Sequence, residues 1–314
     1  MRPCGAARRH TVRQPAPMRS TLLILLATAC TGRVVQPLPT PVVQPEPPPV
    51  APHEPRLELE ERAAEVAARV AGKGFHIVSE DPFVVAGDGA PAAVERCATG
   101  TVRWAVRILR QDFFAKSPDR VLEIWLFRDA ASYRKHAREL FNDVPSTPFG
   151  YYSPTHGALI MNIATGTGTL VHEIVHPFVA ADFPGCPAWM NEGLGSLFEQ
   201  CGEADGHIVG HTNWRLDGLQ EAIRNGSTVK LSALVATTTA EFYGDRSRLH
   251  YAMARYLLYW LQQEGKLRAF YRAFRDGCAE DPTGAHALRA ALGVTDLDAF
   301  QPGWERWVAT LRRE

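Results

Sequence analysis

Nine of the nineteen residues between positions 37 and 55 are proline, and almost none of the others is large and apolar. Such a segment lacks backbone donors, cannot bury a core, and favours extended, semi-rigid polyproline conformations. It divides the 314-residue chain. Folding starts near Arg56, and the remaining ~259 residues suffice for one large domain or two closely packed lobes.

Residues 1–29 carry Arg2, Arg8, Arg9, Arg13 and Arg19, no acid, and then the apolar run Leu22-Leu23-Ile24-Leu25-Leu26-Ala27. A basic region, a short apolar core and small residues ending at Ala29 are the pattern of a secretory signal. The run is much shorter than the ~20 residues a bilayer span needs. Met18 would also start a compact leader. Leu26-Ala27-Thr28-Ala29-Cys30 resembles the lipobox of bacterial lipoproteins, with Ala27 where a leucine is usual. That resemblance implies lipidation of Cys30, residues 30–55 as a tether, and export to a bacterial envelope. The domain would face the periplasm or the cell exterior, touching the membrane only through its lipid. A signal cut elsewhere is the alternative. Losing residues 1–29 moves the formal charge from zero to about −5. No basic cluster remains, so nucleic acid is not an expected partner.

Past Cys30 the cysteines are Cys97, Cys186, Cys201 and Cys278. An even number in an exported domain implies disulfides, and without a C-x-x-C pair a cysteine zinc site is not expected. Cys186 and Cys201 bracket a predicted helix and form the expected pair, with Cys97 and Cys278 as the other. Free buried cysteines are the alternative.

Hydrophobic periodicity predicts a helix over 57–71, strands at 75–78 and 83–86, a helix over about 91–115, a buried strand at 121–127 and a helix at 130–141. A strand at 157–163 follows, and beyond 167 the pattern is almost wholly helical. Strands first and helices afterwards predict an α+β domain over 56–314. It would comprise a mixed sheet lobe and then a mainly helical lobe, with the active site in the cleft between them.

Leu170-Val171-His172-Glu173-Ile174-Val175-His176 contains H-E-x-x-H. On a helix, positions four apart stand one turn on, so His172 and His176 offer two imidazoles to one cation. Glu173 is offset around the helix, placed as general base for a water that the metal activates. Pro177 should kink or end this helix. Zinc in hydrolases usually takes a third protein ligand. Eleven residues past His176 comes Pro187-Ala188-Trp189-Met190-Asn191-Glu192-Gly193-Leu194, with fifteen residues between His176 and Glu192. This block resembles the W-x-N-E-G segment of gluzincins, and residues 168–200 as a whole resemble the peptidase-MA-like group, related to thermolysin-type enzymes and zinc aminopeptidases. The resemblance implies Glu192 as third ligand and one Zn²⁺ per chain. No H-x-x-G-x-x-H continuation follows His176, which excludes the metzincin pattern.

In the resembled clan a strand before the zinc helix pairs with substrate backbone; Gly157, Ala158 and Leu159 occupy that place. The aminopeptidases carry an acidic residue there and this chain does not, which points to an endopeptidase acting on peptides or proteins. An amidase of cell-wall peptides and an inactive, binding lipoprotein of the same fold are the alternatives. Tyr251, in His250-Tyr251-Ala252-Met253, resembles the oxyanion donor of the aminopeptidases, with His250 and Tyr243 as rivals. Glu199, two turns past Glu192, is either a partner orienting His172 or His176 or an exposed helix glutamate. Asn213-Trp214-Arg215 is a candidate for substrate contact.

Overall fold

The computed structural model describes residues 55–313. The leader, Cys30 and nearly all of the tether lie outside the described residues. Helix α1 (Pro55–Arg69) precedes the hairpin β1 (His76–Glu80) and β2 (Phe83–Gly87). Helix α2 (Pro91–Arg96), a π-helical turn and α3 (Arg103–Asp112) make one helical run. Then come β3 (Leu122–Phe127), α4 (Ala130–Phe141), β4 (Gly150–Ser153) and β5 (Ala158–Asn162). Helices α5 (Gly168–Asp182) and α6 (Ala188–Phe198) lead to a second hairpin, β6 (Cys201–Ala204) and β7 (His207–Gly210). The chain finishes with α7 (Arg215–Arg224), α8 (Leu231–Val235), α9 (Thr239–Phe242), α10 (Ser247–Gln263), α11 (Leu267–Gly277), α12 (Ala285–Leu292) and α13 (Leu297–Thr310). The domain is thus mixed: a five-stranded sheet and a large helical region. Among the described residues no helix is long and apolar enough to cross a membrane.

The sheet order is β1-β2-β3-β5-β4. The inner pairs β2–β3 and β3–β5 are parallel, and the outer strands β1 and β4 run antiparallel to their neighbours. Alternation along the strands builds two cores. Phe83, Val85, Ile124, Leu126, Leu159 and Met161 face the larger one, shared with α5, α6 and α10. Val84, Ala86, Trp125, Phe127 and Ile160 face the smaller one, closed by Val66 and Val70 of α1 and by Tyr133 and Ala137 of α4. Burial on both faces explains why 121–127 reads as a continuous apolar run. Its one acid, Glu123, pairs with Arg69 and accepts from Trp125 Nε1 at 2.8 Å.

Four expectations need correction. The strand at Gly157, Ala158 and Leu159 is not a free edge. Ala158 and Leu159 lie opposite Glu123 and Ile124 of β3 on one side and Ser153 and Tyr152 of β4 on the other. The Gly157 carbonyl accepts from Glu123 N at 2.9 Å. With its ladder satisfied on both sides, β5 has nothing left for a substrate. Among the described residues the edge on this side of the sheet is β4, a four-residue strand between two prolines that periodicity does not reveal. The region past 167 also contains a hairpin. Asp205 and Gly206 both have positive φ (52° and 76°), the Asp-Gly turn that suits two right-twisted strands.

Pro177 does not end its helix, because α5 runs on to Asp182. Phe178 and Val179 are buried in the larger core beyond the proline. Asp182 accepts from Ala115 N and Lys116 N and pairs with Arg275 and Tyr271. This packing outweighs the ~3 kcal/mol that an interior proline costs. Lastly, the four cysteines are unbridged. Cys186 precedes α6 and Cys201 follows it; eleven helical residues span about 16 Å at 1.5 Å each. A disulfide tolerates ~7 Å between Cα atoms, so that pairing fails on length. The Cys97–Cys278 bridge is not formed either. Burial instead pushes the Cys97 thiol up to about 11 and the Cys201 thiol up to about 12.

Candidate metal centre

His172 and His176 stand one turn apart on α5, with ring centroids 5.0 Å apart. His172 and Glu173 are buried and His176 is half-buried. Helix α6 carries Glu192 into contact with them, and two glycines permit the approach. A Cβ on Gly193 would lie 3.0 Å from Leu258 and 3.3 Å from Ala254 of α10. A Cβ on Gly195 would lie 3.1 Å from the His172 ring. The glycine of the W-x-N-E-G block thus serves helix packing, and Gly195 makes room for an imidazole.

The three donors converge. His172 Nε2 lies 3.2 Å and His176 Nε2 3.9 Å from the same Glu192 oxygen, Oε2. Zinc bonds of ~2.0–2.1 Å in a tetrahedron hold neighbouring donors about 3.3 Å apart, so the spacing fits a metal that draws His176 slightly inward. Two imidazole nitrogens and one carboxylate oxygen are a donor set suited to zinc. Glu173 is also close; ligand atoms of His172, Glu173 and His176 all lie within 4.8 Å of one another. The two carboxylates differ in what holds them. Glu173 Oε2 accepts the backbone N–H of Tyr152 at 2.9 Å. Glu192 Oε1 accepts from the Tyr243 hydroxyl at 2.5 Å, leaving Oε2 to the histidines.

Charge follows this arrangement. Burial by itself would lower the His172 pKa, but the hydrogen bond with Glu192 and the charges of Glu173, Glu192 and Glu199 outweigh it and raise it. Burial would raise the Glu192 pKa, and the charges of His176 and His172, with the His172 hydrogen bond, hold it well below the usual range. The pair therefore shares a proton at the place where a cation would replace it.

Outside the donors, His176 Nδ1 lies 3.0 Å from Asn191 Oδ1, which turns Nε2 toward Glu192. Glu199 does not orient either histidine. It accepts from Asn213 Nδ2 and Arg215 Nε at 3.2 Å each, and it is neither exposed nor bonded to His172. His172 Nδ1 has no hydrogen-bond partner among the described residues. His250 is buried with Nδ1 3.0 Å from the Phe242 carbonyl, a structural role that removes it as a rival to Tyr251. Burial, followed by the Glu192 charge, pushes the Tyr243 and Tyr251 pKa values up, so both phenols keep their protons. Arg215 lies over the Trp214 ring at 4.2 Å and over the Tyr251 ring at 4.9 Å.

The two histidines, the three glutamates, Arg215, Tyr243 and Tyr251 line one cavity of about 850 Å³, with β4 on its wall. Asn162 N donates to Phe149 O, so Phe149, Tyr151 and Ser153 turn their backbone groups toward β5. Gly150 and Tyr152 turn theirs outward. Phe149, Trp214 and Tyr243 also line the cavity and are 46%, 55% and 47% exposed. Tyr152, Asn191 and Gly195 escaped the reading of the sequence as site residues. Asn191 alone had a signal, its place in the W-x-N-E-G block. Among known proteins, no family model and no curated protein matches the chain.

Proposed function

We propose that this chain is a zinc-dependent peptidase of the gluzincin type, tethered to a bacterial envelope and cleaving peptides as an endopeptidase. The observation that carries the reading is the convergence of His172 Nε2 and His176 Nε2 on one oxygen of Glu192, beside a separately anchored Glu173. Zinc held by those three residues would act as a Lewis acid toward a water and the scissile carbonyl. Glu173, fixed through Oε2, keeps Oε1 to take the proton of the attacking water and pass it to the leaving amine. The Tyr251 phenol, protonated at working pH, donates to the oxygen on which charge develops.

Substrate would lie along β4, pairing with the outward backbone groups of Gly150 and the Tyr152 carbonyl, the Tyr152 N–H being held by Glu173. Three exposed aromatic side chains around the cavity suit an extended chain with apolar side chains. The acids of the cavity are Glu173, Glu192 and Glu199, and Glu199 is committed to Arg215. No carboxylate is left over to hold a substrate amine, which favours internal cleavage over aminopeptidase action. The test is metal content by mass spectrometry together with turnover of an unbiased peptide library. One zinc per chain and internal cleavage are expected; a protein that binds no zinc sinks the reading.

A further inference from the structure

Among the charged side chains lining the cavity, Arg248 has no acceptor among the described residues. It is exposed on the first turn of α10, three residues before Tyr251, and so stands on the same helix face as that phenol. Arg215, the other cavity arginine, is bound to Glu199 and enclosed by the Trp214 and Tyr251 rings. The charge balance follows, and it rests on the zinc-peptidase reading above. A divalent cation offsets Glu173 and Glu192, and Arg215 offsets Glu199. Arg248 leaves the loaded cavity with one uncompensated positive charge.

We infer that Arg248 receives a carboxylate of the substrate, so that the cavity selects acidic peptides. A guanidinium binds a carboxylate by paired, charge-assisted hydrogen bonds, which a carboxamide cannot reproduce. The carboxylate comes either from an Asp or Glu side chain or from a free C-terminus close to the scissile bond.

The test uses octapeptides differing only by Glu against Gln at each position in turn, each made with a free and an amidated C-terminus. Wild-type enzyme should show kcat/KM about ten-fold higher for the acidic member of at least one pair, less so at high salt. A Glu preference that persists in amidated peptides assigns Arg248 to a side chain, and a preference for the free over the amidated C-terminus that is equal for Glu and Gln assigns it to the terminal carboxylate. Arg248→Ala should bring the ratio to about one, and Arg248→Glu should favour Lys over Glu at that position. Equal rates for every pair, or a preference that survives Arg248→Ala, overturns the inference. The same pairs binding to Glu173→Gln protein, followed by fluorescence anisotropy, decide the question independently of turnover. If wild type cleaves none of the peptides but the acidic preference in binding depends on Arg248, the peptidase reading fails and this one stands.

Discussion

The Tyr243 hydroxyl donates to Oε1 of Glu192 at 2.5 Å, while Oε2 of the same carboxylate faces His172 at 3.2 Å. One oxygen is thus tied to a phenol and the other presented to the imidazoles. Tyr251, with its ring 6.3 Å from that of Tyr243, lies against the same carboxylate, and the short bond to Oε1 belongs to Tyr243. Tyr243 and Tyr251 are therefore expected to have separable roles.

Tyr243→Phe should weaken zinc binding by about ten-fold, the usual cost of losing a group that orients a ligand. Tyr251→Phe should leave zinc affinity near wild type and lower kcat by ~10²–10³, the cost of one oxyanion donor. Competition titrations with a chromogenic chelator and steady-state kinetics separate the two. If Tyr243→Phe loses rate but not zinc, the roles are exchanged.

Glu173→Gln removes a carboxylate that no donor atom of the proposed metal set depends on. The amide can still accept the Tyr152 N–H, so the edge strand should stay in place. Zinc stoichiometry and thermal midpoint are expected to match wild type, with turnover abolished. A variant that cleaves as fast as wild type would remove Glu173 as the base.

Zinc binding should be linked to pH through His172, whose pKa is raised to about 9. At neutral pH the metal must displace that proton, so affinity should fall about ten-fold per unit on acidification. Calorimetry in buffers of different ionisation enthalpy should report close to one proton released per zinc. The raised pKa also stabilises the metal-free fold below the unfolded value of about 6.5, and this contribution fades as pH rises toward 9. The apo midpoint should accordingly fall over that range. A zinc affinity independent of pH between 6 and 8 (roughly) would exclude the linkage.

Gly195→Ala should act on the metal site and leave the stability of the apo fold nearly unchanged. Alanine is favoured over glycine in a helix by ~1 kcal/mol, yet its Cβ would sit 3.1 Å from the His172 ring and force the imidazole aside by a few tenths of an ångström. Zinc affinity is expected to drop about ten-fold with little change in the apo midpoint. The chelator titration and a melting curve check both sides.

Local chemistry and its period made much of the scaffold legible. The 57–71 helix, the 121–127 strand and the 130–141 helix are found within about two residues of where their patterns place them, because each buries a face that repeats at 2 or 3.6 residues. His172, Glu173 and His176 were legible as a unit, since four residues of helix bring them together regardless of context. Glu192 needed a resemblance, because α6 contributes it from a second helix. Nothing in the period of 148–153 distinguishes β4 from a loop; it is a strand because β5 offers it a ladder. Likewise Pro177 reads locally as a stop, and only the burial of Phe178 and Val179 carries α5 past it. The sequence by itself determined those regular elements and the two-histidine face, set by interactions within a few residues. Which strand lies at the edge, which phenol holds Glu192, and that Glu199 serves Arg215 were decided by tertiary structure alone, because those contacts join residues 5 to 51 positions apart.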